Sequence, residues 1–270
     1  MLTEKNGLID LHHALVETYS PNRATVALDQ FRRFYLALVD GRFGQKALSE
    51  YAPPEVWIEL HQEFFGALTE NGQARCTSAD NFFAAARRFL LRIASIAAEV
   101  DANGTRPSFF LEKTPHSLLA LRFLAELSPD RKFLHVMRDP RSIAYSLRNM
   151  SWGPETLAGC CSWVANYCEA WMVTQTEAET HGLPILNVQI EKIAQEHEVW
   201  SEKICRSLDI EVTHSLFKGA DTDTLNLWAQ QCPATEWDEI NSHLLELSRS
   251  FGYSTQKAGA FAQIPNGYAA

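Results

Sequence analysis

The chain has 270 residues, of which 46% are hydrophobic and 21% charged, and its formal net charge is −9. This composition is typical of a globular protein, and the length allows one large domain or two small ones. The acidic balance argues against nucleic acid or an anionic membrane as a partner, and no apolar run is long enough to span a membrane.

The first hundred residues predict a series of helices. The segments whose apolar residues recur at helical spacing are 7–18, 22–39, 54–70 and 79–100. Pro21 and Pro54 stand where a helix begins, and glycines lie in the gaps between the segments. The N-terminal half is therefore predicted to be rich in helix.

From residue 107 onward, short apolar runs alternate with helical segments. Strands are predicted at 107–112, 132–137 and 184–190, and helices at 115–127, 140–149, 155–181, 196–208, 222–230 and 235–250. Strands that alternate with helices are typical of a parallel sheet covered by helices, so the predicted fold class is α/β. Residues 1–254 are predicted to form one domain, and residues 255–270 a loose tail.

Two of the predicted strands lead directly into a helix that begins with proline. The first junction reads Lys113-Thr-Pro and the second Arg138-Asp-Pro. Threonine and aspartate are good N-caps, and proline is favoured at the first helical position. A helix start behind a strand presents free N–H groups and a partial positive charge, which bind anions. This stretch is therefore predicted to bind a ligand with several phosphate groups.

The distribution of charge agrees with a small anionic ligand. Residues 113–148 contain seven Lys or Arg and three Asp or Glu, a net charge of +4, although the whole chain is acidic.

The six cysteines show neither a Cys-x-x-Cys pair nor the spacing of a zinc site, so free thiols in a reducing compartment are predicted. The N-terminus has no secretory pattern, which predicts a cytoplasmic protein.

The segment LEKTPHSLL, followed by KFLHVMRDPRSIAYSL, resembles the sulfotransferases that use 3′-phosphoadenosine 5′-phosphosulfate (PAPS). In that family, an Arg at a strand end and a Ser eight residues later hold the 3′-phosphate of the nucleotide. The resemblance assigns these roles to Arg138 and Ser146, while Arg141 could add charge to the phosphate or face the solvent. It also places Lys113 near the transferred sulfuryl group, with a structural ion pair as the alternative. The fold it implies is a P-loop-like parallel sheet flanked by helices.

Two further features concern catalysis and the extent of the resemblance. His116, in the first turn after a proline, is a candidate general base, or else a solvated histidine at a helix start. The segment PILNVQIEKI is similar to a later strand of the family, usually ending Tyr-Glu-x-Leu; Glu191 and Ile193 fit, but Ile190 stands in place of Tyr. The C-terminal LNLWAQQCP and LLELSRSFGY are similar to the tyrosylprotein-like and bacterial branches, so the resemblance covers about residues 107–254.

The chain departs from the family at the loop that wraps the 5′-phosphosulfate. No segment like Arg-Ser-Gly-Thr-Thr occurs in the sequence, and neither does a Gly-x-x-x-x-Gly-Lys or Gly-x-Gly-x-x-Gly motif. We therefore expect that the first β-strand and its loop are missing, as in a truncated gene. An open sheet edge would then favour self-association.

Three functions are compatible with the sequence. The first is PAPS-dependent transfer of a sulfuryl group to a hydroxyl or amine acceptor, without a metal and impaired by the missing loop. The second is a non-catalytic descendant that binds the nucleotide or acts as a scaffold. The third is a P-loop-like kinase relative, which binding of ATP rather than PAPS would reveal. The acceptor cannot be read from the sequence, because acceptor sites lie on variable loops.

Overall fold

The structure, a computed structural model, describes residues 2–3, 5–42, 47–71, 73–74, 78–99, 111, 113, 115–211, 216–217 and 222–254. The chain divides into two compact units, Met1–Arg131 and Lys132–Ala270. The single domain over residues 1–254 stays a prediction, and the predicted tail at 255–270 lies outside the described residues.

The first unit consists mainly of helices, as the sequence predicts. Its helices are α1 (Leu8–His12, continued by a π-helical turn at His13–Glu17), α2 (Pro21–Val39), α3 (Pro54–Leu68), α4 (Ala79–Glu99) and α5 (Leu121–Leu127), with 3₁₀ turns at Leu48–Glu50 and Pro115–Ala120. The sequence does not predict the antiparallel hairpin of β1 (Thr69–Glu70) and β2 (Gln73–Ala74). Strands of two residues are too short to show an alternating pattern.

Aromatic and leucine side chains form the core of this unit. The largest fully buried side chains include Leu8, Leu11, Leu15, Phe31, Tyr35, Trp57, Leu68, Phe82 and Phe89. The Tyr35 hydroxyl donates a hydrogen bond to the carbonyl of Trp57 at 3.0 Å, which satisfies the polar atom of a buried ring. Burial also raises the pKa of Tyr35 above its ordinary value.

The predicted strand at 107–112 falls almost wholly outside the described residues. The helix predicted at 115–127 is present as the 3₁₀ turn Pro115–Ala120 followed by α5. Arg87 of α4 donates hydrogen bonds to the carbonyls of Glu126 at 2.9 Å and Leu127 at 3.1 Å. These bonds satisfy free carbonyl groups at the end of α5, which fixes where that helix stops.

A pair of parallel strands organises the second unit. β3 (Phe133–Met137) pairs with β4 (Ile185–Gln189), in a register that runs from Phe133 opposite Ile185 to Met137 opposite Gln189. The predicted α/β class is therefore confirmed for a small parallel sheet. Because the strands are parallel and in register, the segments that follow Met137 and Gln189 leave the sheet at the same edge.

Within its described residues, the unit has six helices beside these strands: α6 (Pro140–Leu147), α7 (Leu157–Thr180), α8 (Ile190–Gln195), α9 (His197–Leu208), α10 (Thr222–Gln231) and α11 (Ala234–Ser250). The sequence predicts all of them except α8, whose single turn and a half is too short for a helical period to emerge. α6 packs against α7 and α11. Their shared core includes Ala144, Leu147, Cys160, Cys161, Val164, Ile240 and Leu244.

The cysteines that the structure describes are free thiols, and all but Cys168 are buried. Burial raises the pKa of Cys161 and of Cys168 to about 11. Over the described residues, no helix has both the length and the apolar character that a membrane crossing requires.

Candidate functional site

The candidate site lies where β3 leads into α6. Asp139 is the N-cap of α6, and its Oδ1 accepts the backbone N–H of Arg141 at 3.0 Å. Pro140 occupies the first helical position. The Asp-Pro start that the sequence predicts is thus present, and Arg138 is the one residue between the strand and the cap.

Arg138 has no partner inside the described part of the protein. Its side chain is half-buried, and its Nε is buried without a hydrogen-bond acceptor. No carboxylate among the described residues forms an ion pair with it. A buried donor without an acceptor costs about 1–3 kcal/mol, and more when it is charged. An anionic ligand against the half-buried guanidinium would supply a counter-charge that the described residues do not.

Arg141, only three residues later, is fully engaged with the protein. It is 2% exposed, and its Nε and one terminal nitrogen donate to the two carboxylate oxygens of Asp139 at 3.1 and 2.7 Å. The same guanidinium donates to Oδ1 of Asn241 at 3.2 Å and to the carbonyl of Ser254 at 2.5 Å. Of the two alternatives for Arg141, a side chain that faces the solvent is wrong, and a contribution of its charge to the phosphate stays a prediction. Because its donors are used internally, we assign it to holding Asp139 in place.

Ser146 lies in the last turn of α6 and is half-buried. Its hydroxyl makes no hydrogen bond with any residue that the structure describes. Ser142 lies one turn earlier on the same helix, but its hydroxyl is completely buried. Of these two serines, Ser146 is therefore the one whose hydroxyl a ligand can reach.

Glu191 follows β4 at the same edge of the sheet. Its Oε1 accepts the backbone N–H of Asp139 at 3.0 Å, and its Oε2 accepts the hydroxyl of Tyr253 at 3.2 Å. The residue is 5% exposed. Burial raises the pKa of Glu191, and the nearby charge of Asp139 adds to the effect, while hydrogen bonds from the backbone of Asp139, from its own backbone and from Tyr253 oppose it. Sequence reasoning noted Glu191 only through the Tyr-Glu-x-Leu resemblance and missed Tyr253.

Lys113 and His116 belong to the first unit. Lys113 is exposed, and the structural ion pair proposed for it is not found among the described residues. His116 lies in the 3₁₀ turn Pro115–Ala120, but its side chain is outside the described part of the chain. The catalytic roles of both residues stay predictions.

The second unit is α/β, and the candidate site lies at the carboxyl ends of its two parallel strands. The chain belongs to the sulfotransferase family, because the model of that family matches residues 18–214. The predicted family is thereby confirmed. One relative is nodulation protein NoeE of Sinorhizobium fredii (strain NBRC 101917 / NGR234), which is 29% identical over 146 residues. That match covers 51% of this chain and 34% of NoeE, so the chain spans about a third of that relative's length.

Proposed function

We propose that the protein transfers a sulfuryl group from PAPS to a hydroxyl or amine acceptor. Arg138 and Ser146 bind the 3′-phosphate of the donor. The observation that carries the proposal is the half-buried guanidinium of Arg138, directly before the start of α6, which has no partner among the residues that the structure describes. In a member of the sulfotransferase family, an arginine at this junction that pairs with no carboxylate of the described ranges fits a phosphate.

The residues present fit the 3′-phosphate end of PAPS. Within the described part of the chain, the guanidinium of Arg138 has no ion-pair partner and the hydroxyl of Ser146 has no hydrogen-bond partner. A phosphate group supplies acceptor oxygens for both side chains. Hydrogen bonds between an arginine and a phosphate are charge-assisted and roughly twice as strong as neutral ones.

The bound donor supplies an activated sulfuryl group for in-line displacement by the acceptor. Lys113 neutralises negative charge that develops on the peripheral oxygens during transfer, in the same way as cations in phosphoryl transfer. His116 accepts the proton that the acceptor hydroxyl or amine loses. Arg138 and Ser146 hold the nucleotide in place, so their contribution is to binding and orientation.

A second candidate function is nucleotide binding without efficient catalysis. It is favoured by the sequence, which contains no segment like Arg-Ser-Gly-Thr-Thr to hold the 5′-phosphosulfate. For that reason we expect turnover by these 270 residues to be low. Transfer from labelled PAPS to a panel of hydroxyl and amine acceptors separates the two functions, since only the first gives labelled product.

Calorimetry with adenosine 3′,5′-bisphosphate and with AMP tests the proposed binding mode. The two nucleotides differ only by the 3′-phosphate, so the ratio of their Kd values measures recognition of that group. We expect the bisphosphate to bind more tightly, and Arg138→Ala to reduce its affinity roughly 10- to 150-fold, as for loss of a charge-assisted hydrogen bond. Equal affinity of the unaltered protein for both nucleotides would contradict the proposal.

Arg206→Ala is the matched control for this experiment. Arg206 is exposed on α9 and pairs with Glu202 one turn away, at 2.5 Å. Its replacement removes the same charge from the same unit without touching the junction of β3 and α6. We expect both nucleotides to bind the control variant as they bind the unaltered protein.

A further inference from the structure

The backbone at Asp139 is held from outside its own strand and helix. Its N–H, the first after Arg138, donates to Glu191, which follows the neighbouring strand. Because Met137 and Gln189 are paired in the sheet, Asp139 and Glu191 lie two residues beyond the same rung. A change in the Glu191 side chain therefore acts directly on the peptide unit that joins Arg138 to Asp139.

Four residues at the C-terminal end of the described chain form hydrogen bonds with the residues around this peptide unit. We call them the C-terminal clamp: Ser248, Phe251, Tyr253 and Ser254. The Tyr253 hydroxyl donates to Glu191 at 3.2 Å, and the Ser248 hydroxyl donates to Oδ1 of Asp139 at 3.2 Å. The side-chain amide of Gln189, the last residue of β4, donates to the Phe251 carbonyl at 2.7 Å. The Ser254 carbonyl accepts from Arg141, as described above.

A tight turn directs the C-terminal clamp back onto the strand ends. α11 ends at Ser250, and Gly252 then adopts a φ of 79°, a conformation that favours glycine. The N–H of Tyr253 donates to the Ser248 carbonyl at 2.9 Å, which closes the turn. Tyr253 is consequently 6% exposed, although it follows the last helix.

We infer that Glu191 and Tyr253 are positioning residues for Arg138. Neither is placed against the nucleotide; Glu191 fixes the Asp139 peptide, and Tyr253 fixes the orientation of Glu191. The inference rests on the proposed function, since it concerns recognition of the 3′-phosphate. A positioning role gives a reason for the location of the Glu191 carboxylate. It is buried close to the carboxylate of Asp139, where its negative charge is disfavoured.

The test compares binding of adenosine 3′,5′-bisphosphate and AMP by Glu191→Ala, Glu191→Gln and Tyr253→Phe. The ratio of the two Kd values does not depend on the folded fraction of a sample, so a merely structural defect leaves it unchanged. We expect Glu191→Ala to lower the preference for the bisphosphate by about tenfold, as for loss of a partner that orients a binding group. Glu191→Gln retains an oxygen that accepts the Asp139 N–H, so it should keep the preference.

Tyr253→Phe tests the same positioning role with a smaller change, because it removes only the hydroxyl that donates to Glu191. It can therefore be measured even if Glu191→Ala fails to fold. Its preference for the bisphosphate should fall, though less than in Glu191→Ala. Tyr35→Phe is the matched control, since it removes a buried hydroxyl that hydrogen-bonds a carbonyl in the first unit. That variant should lose stability and keep the preference.

The outcomes separate the inference from the proposed function. If the unaltered protein prefers the bisphosphate and both Glu191→Ala and Tyr253→Phe keep that preference, the inference is wrong and the proposed function stands. If the unaltered protein shows no preference, the proposed function fails and the inference fails with it. A loss in Glu191→Ala that Glu191→Gln does not restore would also overturn the positioning role.

Discussion

Glu191 and Asp139, 52 residues apart in the chain, are joined by a 3.0 Å hydrogen bond from a backbone N–H to a carboxylate. The two buried carboxylates differ in what surrounds them. Asp139 is paired with the guanidinium of Arg141, whereas Glu191 has no ion-pair partner within the described ranges and receives its hydrogen bonds from neutral groups. Burying two negative charges close together is unfavourable, and we expect this to affect mainly the ionisation of Glu191.

This difference predicts how Glu191→Gln changes stability with pH. The pKa of Glu191 is raised in the folded protein, chiefly by burial and also by the charge of Asp139. Folding therefore takes up a proton between the ordinary glutamate pKa and the raised value, and stability falls as pH rises through that window. Glutamine carries no charge, so we expect the variant to gain stability relative to the unaltered protein as pH rises.

Urea unfolding of both proteins from acid to neutral pH measures this effect. Below the ordinary glutamate pKa the two should be almost equally stable, because Glu191 is protonated in both states. If Glu191→Gln instead becomes less stable than the unaltered protein as pH rises, the charge of Glu191 is favourable in the fold.

Arg141→Ala is expected to destabilise the second unit strongly. The substitution leaves the carboxylate of Asp139 buried without its cation, and breaking a buried ion pair in this way costs about 3–5 kcal/mol. Arg33→Ala is the control, because Arg33 forms an exposed pair with Asp29 on α2. An exposed pair contributes about 0–1 kcal/mol. Equal losses for the two variants in urea unfolding would contradict the structural role of Arg141.

Ser146→Ala is expected to weaken binding of adenosine 3′,5′-bisphosphate without lowering stability. The Ser146 hydroxyl has no partner among the described residues, so its removal breaks no internal bond there. A lost hydrogen bond to a charged phosphate costs about 1.5–3 kcal/mol, which calorimetry detects easily. Ser142→Ala, one turn away with a fully buried hydroxyl, should bind the nucleotide unchanged. If Ser142→Ala is the weaker binder, the wrong serine has been assigned.

Lys113→Ala is expected to slow sulfuryl transfer more than it weakens binding of the bisphosphate product. The product lacks the sulfuryl group, whereas charge develops on that group in the transition state. Loss of one charge-stabilising donor typically lowers the rate roughly 100-fold. Lys5→Ala, another exposed lysine of the first unit, is the control. If Lys113→Ala leaves the rate of sulfuryl transfer unchanged but greatly lowers the affinity for the bisphosphate, Lys113 contributes to nucleotide binding and not to the transition state.

The sequence by itself determined the features that depend on neighbouring residues. Asp139 and Pro140 predict where α6 begins, because an N-cap and the fixed φ of proline act within one turn. The same motif, through its resemblance to sulfotransferases, indicated Arg138 and Ser146. The class of fold followed from the alternation of apolar and helical segments.

The tertiary structure decided what depends on residues far apart in the chain. The burial of Arg141 follows from contacts with Asn241 and Ser254, 100 and 113 positions away. The bond between Glu191 and Asp139 requires the register of two strands that 47 residues separate, and no local propensity encodes that register. Such contacts form only when the core packs. The sequence therefore left Arg141 either beside the phosphate or in the solvent, whereas the structure shows it buried against Asp139.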